Sequence, residues 1–185
     1  SYTGLSGASW DVGSNWSCLH VPDADDDVTL STGDNVLVTD ANAVAGTLQI
    51  ELGATLAFAN SRVLDVSGAV SAATGTSTGT GELDAGGGLT KIGTGQLSLS
   101  GPLVVLEADS AWNGGDVCLT SGSTFRVLTQ LSVASGAGAD PAHHLRVAVD
   151  LGHGHQVVVL PAAQEQAGGL DLGHGFILSK AKPRR

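Results

Sequence analysis

The densest group of chemistry-bearing side chains is Asp23, Asp25, Asp26 and Asp27, four carboxylates within five positions. Closely spaced carboxylates on a loop are hard oxygen donors of the kind calcium requires, which makes these residues candidate metal ligands. The alternating Asp/Asn ladder and central Gly of an EF-hand loop are missing, so the preferred reading is a solvated acidic turn in which Asp27 caps the first strand. The six histidines form the second group: His20, His143, His144, His153, His155 and His174. In an extended segment His153 and His155 share one face, and His174 recurs in the same Leu-Gly-His-Gly context. Stacked together, His153, His155 and His174 would offer neutral imidazoles to zinc, with Asp150 and Asp171 in reach. A polar turn repeated by the architecture accounts for the same pattern and is preferred. No cofactor is expected.

Catalytic constellations are not visible. Asp65, Glu82, Asp84, Glu107, Asp109 and Asp116 fall mostly at turn positions, and Arg62, Lys91 and Arg126 are widely separated. Neither a Gly-x-Ser-x-Gly elbow nor a Ser-His-Asp arrangement occurs. The chain is therefore expected to be no enzyme, with no catalytic residues. Trp10, Trp16 and Trp112 are the candidates for ligand binding, since an exposed indole stacks on a sugar ring. For Trp10 and Trp16 the preferred role is to cover the open end of the fold, and Trp112 is expected to pack ahead of the turn at Gly114-Gly115. Asn15-Trp16-Ser17 is an N-glycosylation sequon, making Asn15 a candidate acceptor. Residues 74–81 alternate Thr with Gly or Ser. Hydroxyls arrayed on successive coils would suit ice or sugar, but the pattern occurs once in the sequence and reads as a bulge or turn interrupting the strands.

These residues must be positioned by short extended segments. The formal charge is −10, and four of only eight Lys and Arg residues (Lys180, Lys182, Arg184, Arg185) sit at the C-terminal end. So acidic a body repels phosphate backbones and anionic membranes, so no nucleic-acid partner and no membrane docking is expected. No apolar run reaches the ~20 residues of a membrane helix. Hydrophobic residues make up 42% of the chain, charged residues 14% and aromatics 4%, with 27 Gly. That composition excludes disorder and suits many short strands joined by tight turns. The chain opens at Ser1 without Met and is read as a processed or excised piece.

Short apolar-x-apolar doublets recur throughout: Val28-Thr29-Leu30, Val36-Leu37-Val38, Leu48-Gln49-Ile50, Leu56-Ala57-Phe58, Leu64-Asp65-Val66, Leu97-Ser98-Leu99, Val117-Cys118-Leu119, Phe125-Arg126-Val127 and Leu131-Ser132-Val133. Period two means a strand with one buried face. Leu48, Leu56 and Leu64 are eight residues apart, enough for a short strand and a three-residue turn. An antiparallel sandwich of hairpins is the rival architecture. Strands this short bury little alone, so stacked coils of a parallel β-helix are favoured. The expected organisation is an N-terminal Trp-containing cap over 1–27, then one continuous solenoid domain over 28–185, with a loop excursion near 134–141. Cys18 and Cys118 would lie several coils, on the order of 20 Å, apart at ~4.8 Å per coil, too far for a disulfide.

Leu89-Thr90-Lys91-Ile92-Gly93-Thr94-Gly95-Gln96-Leu97-Ser98-Leu99-Ser100-Gly101 resembles the autotransporter-associated β-strand repeat of bacterial surface proteins. The likeness lies in the Leu-Thr-Lys start, the Gly-x-Gly pair and Leu-x-Leu-Ser-Gly. Upstream, Asn15-Trp16-Ser17, Val21-Pro22, Asp26-Asp27-Val28-Thr29-Leu30 and Gly46-Thr47-Leu48-Gln49-Ile50 are similar to the opening of G8-type extracellular β-rich domains. Both resemblances imply a right-handed parallel β-helix outside the cell or on its surface, used for display or adhesion. The alternative expectation is a carbohydrate- or protein-recognition module, with a glycan or a surface protein as partner. Neither family supplies catalytic residues that transfer to this chain.

Overall fold

Every one of those doublets lies in a strand of the computed structural model, which describes residues 1–39, 43–120, 123–129, 131–133, 138–139, 145–150, 155–160 and 170–171. The chain visits three sheets in rotation. The first sheet stacks Asp27–Leu30, Thr47–Ile50, Val70–Ala72, Leu89–Lys91, Ser110–Trp112, Leu131–Val133 and Leu170–Asp171. The second stacks Ala8–Ser9, Asn35–Val38, Ala54–Phe58, Gly75–Gly79, Leu97–Ser100, Asp116–Thr120 and Gly138–Ala139. The third stacks Ala43–Ala45, Val63–Val66, Glu82–Ala85, Leu103–Leu106, Thr124–Val127, Leu145–Asp150 and His155–Leu160. The result is an all-β solenoid of about five turns. The eight-residue step from Leu48 to Leu56 to Leu64 is thus one coil turning through its three sides.

Stacking is parallel and in register. Asp27 pairs with Thr47, Val63 with Glu82 and Gly75 with Leu97, so a coil takes 19 to 22 residues. Register puts like on like inside the column: Val36 under Leu56, Ala43 under Leu64 and Leu83, Ala45 under Val66, Ala85 and Leu106. A fully buried Leu or Val contributes about 1.5–3 kcal/mol. Ordering its backbone costs about 1–2 kcal/mol. One strand with two inward residues gains almost nothing net, and stability comes from stacking many.

At the N-terminal end the chain lies across the first coil. The amides of Tyr2, Gly7 and Trp10 donate to the carbonyls of Thr29, Asn35 and Leu37, and Ala8–Ser9 pairs parallel with Val36–Leu37. Trp10 and Trp16 are completely buried and meet edge to face, with ring centroids 4.7 Å apart, and Tyr2 packs on Trp16 at 5.3 Å. The Trp16 indole Nε1 donates to the Trp10 carbonyl at 2.8 Å. Among the described residues, helix is limited to one 3₁₀ turn at Gly13–Asn15. At the far end two antiparallel pairings replace the parallel ladder, Leu145–Asp150 with His155–Leu160 and Ser132–Val133 with Leu170–Asp171.

Two expectations change. Residues 74–81 are not a bulge: Gly75–Gly79 is a full strand, paired parallel on both sides. Composition misleads here because its glycines serve close stacking. Gly79 has φ +93°, and a Cβ there would collide with the Phe58 carbonyl of the coil below. Within the expected 134–141 excursion, Gly138–Ala139 pairs with Asp116–Val117, while 134–137 and 140–141 lie outside the described residues.

Candidate functional site

The acidic segment feeds the first strand and is organised as a turn. The Asp23 amide donates to Asp26 Oδ2 at 2.9 Å, the Asp25 amide to Asp23 Oδ1 at 2.9 Å, and the Asp26 amide to the Asp23 carbonyl at 3.1 Å. Asp27 opens the strand Asp27–Leu30, and its carboxylate accepts the Thr47 hydroxyl of the next coil at 2.7 Å. Asp27 is thus engaged by the next coil. What converges is a different set. His20, Asp23 and Asp26 offer ligand atoms all within 4.8 Å of one another, with His20 Nδ1 3.6 Å from Asp26 Oδ2. One imidazole with two carboxylates is a borderline-soft set, nearer to zinc's preferences than to calcium's. All three residues are open to water or partly so, and Asp23 and Asp26 already hold the turn. His20 joins the cluster because the chain reverses at Leu19, which takes a φ of +63°. Sequence order alone gave no sign of that reversal.

Most of the histidine set lies outside the described residues. His155 opens the strand His155–Leu160 opposite Asp150, while His153 and His174 lie outside the described residues. All three tryptophans are buried: Trp10 and Trp16 in the cap, and Trp112 in the column, 4% exposed, with its Nε1 donating to the Gly115 carbonyl at 2.9 Å. None presents a ring face to a sugar. The Asn15 amide group, partly buried, donates to the Ser9 carbonyl at 2.8 Å, while Ser17 of the sequon is exposed. Cys18 is exposed in the cap, Cys118 is buried in the fifth coil, and the two are unbridged, as the coil spacing required.

Two features escaped sequence reading. Lys91 is 2% exposed. It stands in register over Ala72 and under Trp112, and its ammonium donates to the carbonyls of Ile92 at 2.8 Å, Gly114 at 3.3 Å and Gly93 at 3.4 Å. Its stem fills the column while its charge holds two successive Gly turns together. The Leu-Thr-Lys motif contained this residue, but nothing in the motif said that it points inward. The second feature is the outer face of the second sheet. There Asn35, Thr55, Thr76 and Ser98 form one column, and Leu37, Ala57, Thr78 and Ser100 the other. The hydroxyls that the sequence offered once are stacked coil on coil by register, and none of these positions is charged.

Charge gathers instead on the third sheet, where Asp65 and Asp84 are stacked and Glu82 and Glu107 flank them. Partial burial, then the carboxylates of Glu107, Asp65 and Glu82, hold the Asp84 pKa above its ordinary value.

Residues 1–96, which hold the cap, the first three coils and the first strand of the fourth, match the family described as a domain of unknown function, DUF8693. The chain belongs to this family. No curated protein matches it, and no solved structure does. The family region contains the His20, Asp23 and Asp26 cluster, the Trp cap and Lys91, and it ends one residue before the strand Leu97–Ser100.

Proposed function

We propose that the chain is a non-catalytic structural or adhesive module, acting outside the cell or on its surface. The observation that carries this reading is the inner column of stacked aliphatic side chains. Its side chains are spent on stacking, and the first and second sheets show the solvent mainly short, uncharged polar side chains. A covered end supports the same reading, because a bare first coil would recruit other strands. On the third sheet the carboxylates of Asp65, Glu82 and Asp84 lie on the outer face, away from the inner column. The likeness of residues 89–101 to the autotransporter-associated repeat adds weight to surface display.

Antibody raised against the folded chain should label intact cells of the source organism, and external protease should remove that label. Label that appears only after cells are permeabilised would rule the placement out.

A recognition module for neutral glycans is the second reading, favoured by the uncharged hydroxyl face of Thr55, Thr76, Thr78, Ser98 and Ser100. A glycan array separates the two. Binding abolished by Thr76→Lys with Ser98→Lys, at unchanged melting temperature, supports recognition; a blank array leaves the structural role.

A further inference from the structure

The column is not equally filled along its length. The second coil (residues 47–66) points Leu48, Ile50, Leu56, Phe58, Leu64 and Val66 inward, and the fourth (residues 89–106) points Leu89, Lys91, Leu97, Leu99, Val104 and Leu106. Between them the third coil (residues 70–85) sets Ala72, Ser77 and Ala85 over Ile50, Leu56 and Val66, and Gly75 over Ala54 and under Leu97, with Val70 and Leu83 as its large side chains. Ser77 stands where Leu56 lies below and Leu99 above. It is 2% exposed and its hydroxyl has no hydrogen-bond partner. Beside it lies an apolar gap of about 10 Å³, bounded by Val70, Leu83, Leu89, Leu97 and Val104.

We propose that the third coil is a built-in yielding point, where the solenoid opens first while the coils on either side remain packed. The backbone is laddered over Gly75–Gly79 below and Gly75–Thr78 above, so the weakness lies in the side-chain filling. Opening frees an orphaned hydroxyl and loses few dispersion contacts, whereas opening any neighbouring coil strips several large aliphatic residues. In a repeat array each coil is held by its nearest neighbours, so one poorly filled coil uncouples the blocks on its two sides.

Native-state hydrogen exchange on the unaltered chain tests this. The amides of Thr76 to Gly79 should exchange about tenfold or more faster than those of Leu56 to Phe58. Uniform protection across both strands overturns the proposal. Thiol labelling gives a side-chain readout in a Cys18→Ser background, mapped by peptide mass spectrometry. The Ser77→Cys variant should alkylate at least about tenfold faster than Ala45→Cys or Val104→Cys, which probe equally buried places in the first and fourth coils. Equal or slower labelling at position 77 overturns it as well. Ser77→Val, which fills the gap, should bring the exchange of this coil to that of its neighbours; unchanged exchange shows that side-chain filling is not the cause.

Discussion

Tyr2, Trp10 and Trp16 show how a residue's partners, more than its type, set its worth. The Trp16 indole donates to the Trp10 carbonyl, while Trp10 Nε1 is buried without a hydrogen-bond partner. Trp16→Phe strands that carbonyl and should cost about 1 kcal/mol more than Trp10→Phe, as read from urea unfolding midpoints. Asp84 gives a pH signature. Its pKa is raised, so the folded chain holds this proton more tightly than the unfolded chain does. Its contribution to stability therefore falls as pH rises through the carboxylate range. Asp84→Asn should raise the melting temperature near about pH 7, and that gain should shrink towards about pH 3, where the unfolded carboxyl is protonated too. A gain that grows on acidification would contradict the assignment.

At the scale of the element, a strand of three to five residues owes its existence to the coils above and below. Leu89–Lys91 is the clearest instance, since its third residue is a charged side chain in an apolar column. Lys91→Ala removes the stem and leaves the carbonyls of Ile92, Gly93 and Gly114 without their ammonium. A loss of about 3 kcal/mol or more is expected by chemical denaturation. Lys91→Met keeps the packing and loses only the hydrogen bonds, so it should fall between Ala and the native residue. Equal losses for Met and Ala would show that the carbonyl contacts, not the stem, dominate.

For the whole molecule, the solenoid keeps distant parts of the chain apart. Cys18 lies in the cap and Cys118 in the fifth coil, one exposed and one buried. A thiol reagent should find one fast-reacting cysteine in the native chain and the second only on unfolding, with no change of mobility under reducing conditions. Two fast thiols, or none, would contradict this placement.

The apolar doublets and their eight-residue step determined the strands, the coil length and the parallel column. Period two and a short recurring interval favour stacked coils over hairpins for burying such short segments. The cap was legible as well, because two tryptophans ahead of the first doublet have an open coil end to cover. Tertiary structure alone decided the rest, and in each case the reason is register. Coil lengths vary between 19 and 22 residues, so no fixed period reveals which residues become neighbours. Register turned an apparent Thr/Gly interruption into a paired strand, set Thr55, Thr76 and Ser98 on one face, and sent Lys91 inward. The left-handed turn at Leu19 brought His20 to Asp23 and Asp26 in the same way, through a local backbone choice that residue types alone do not dictate.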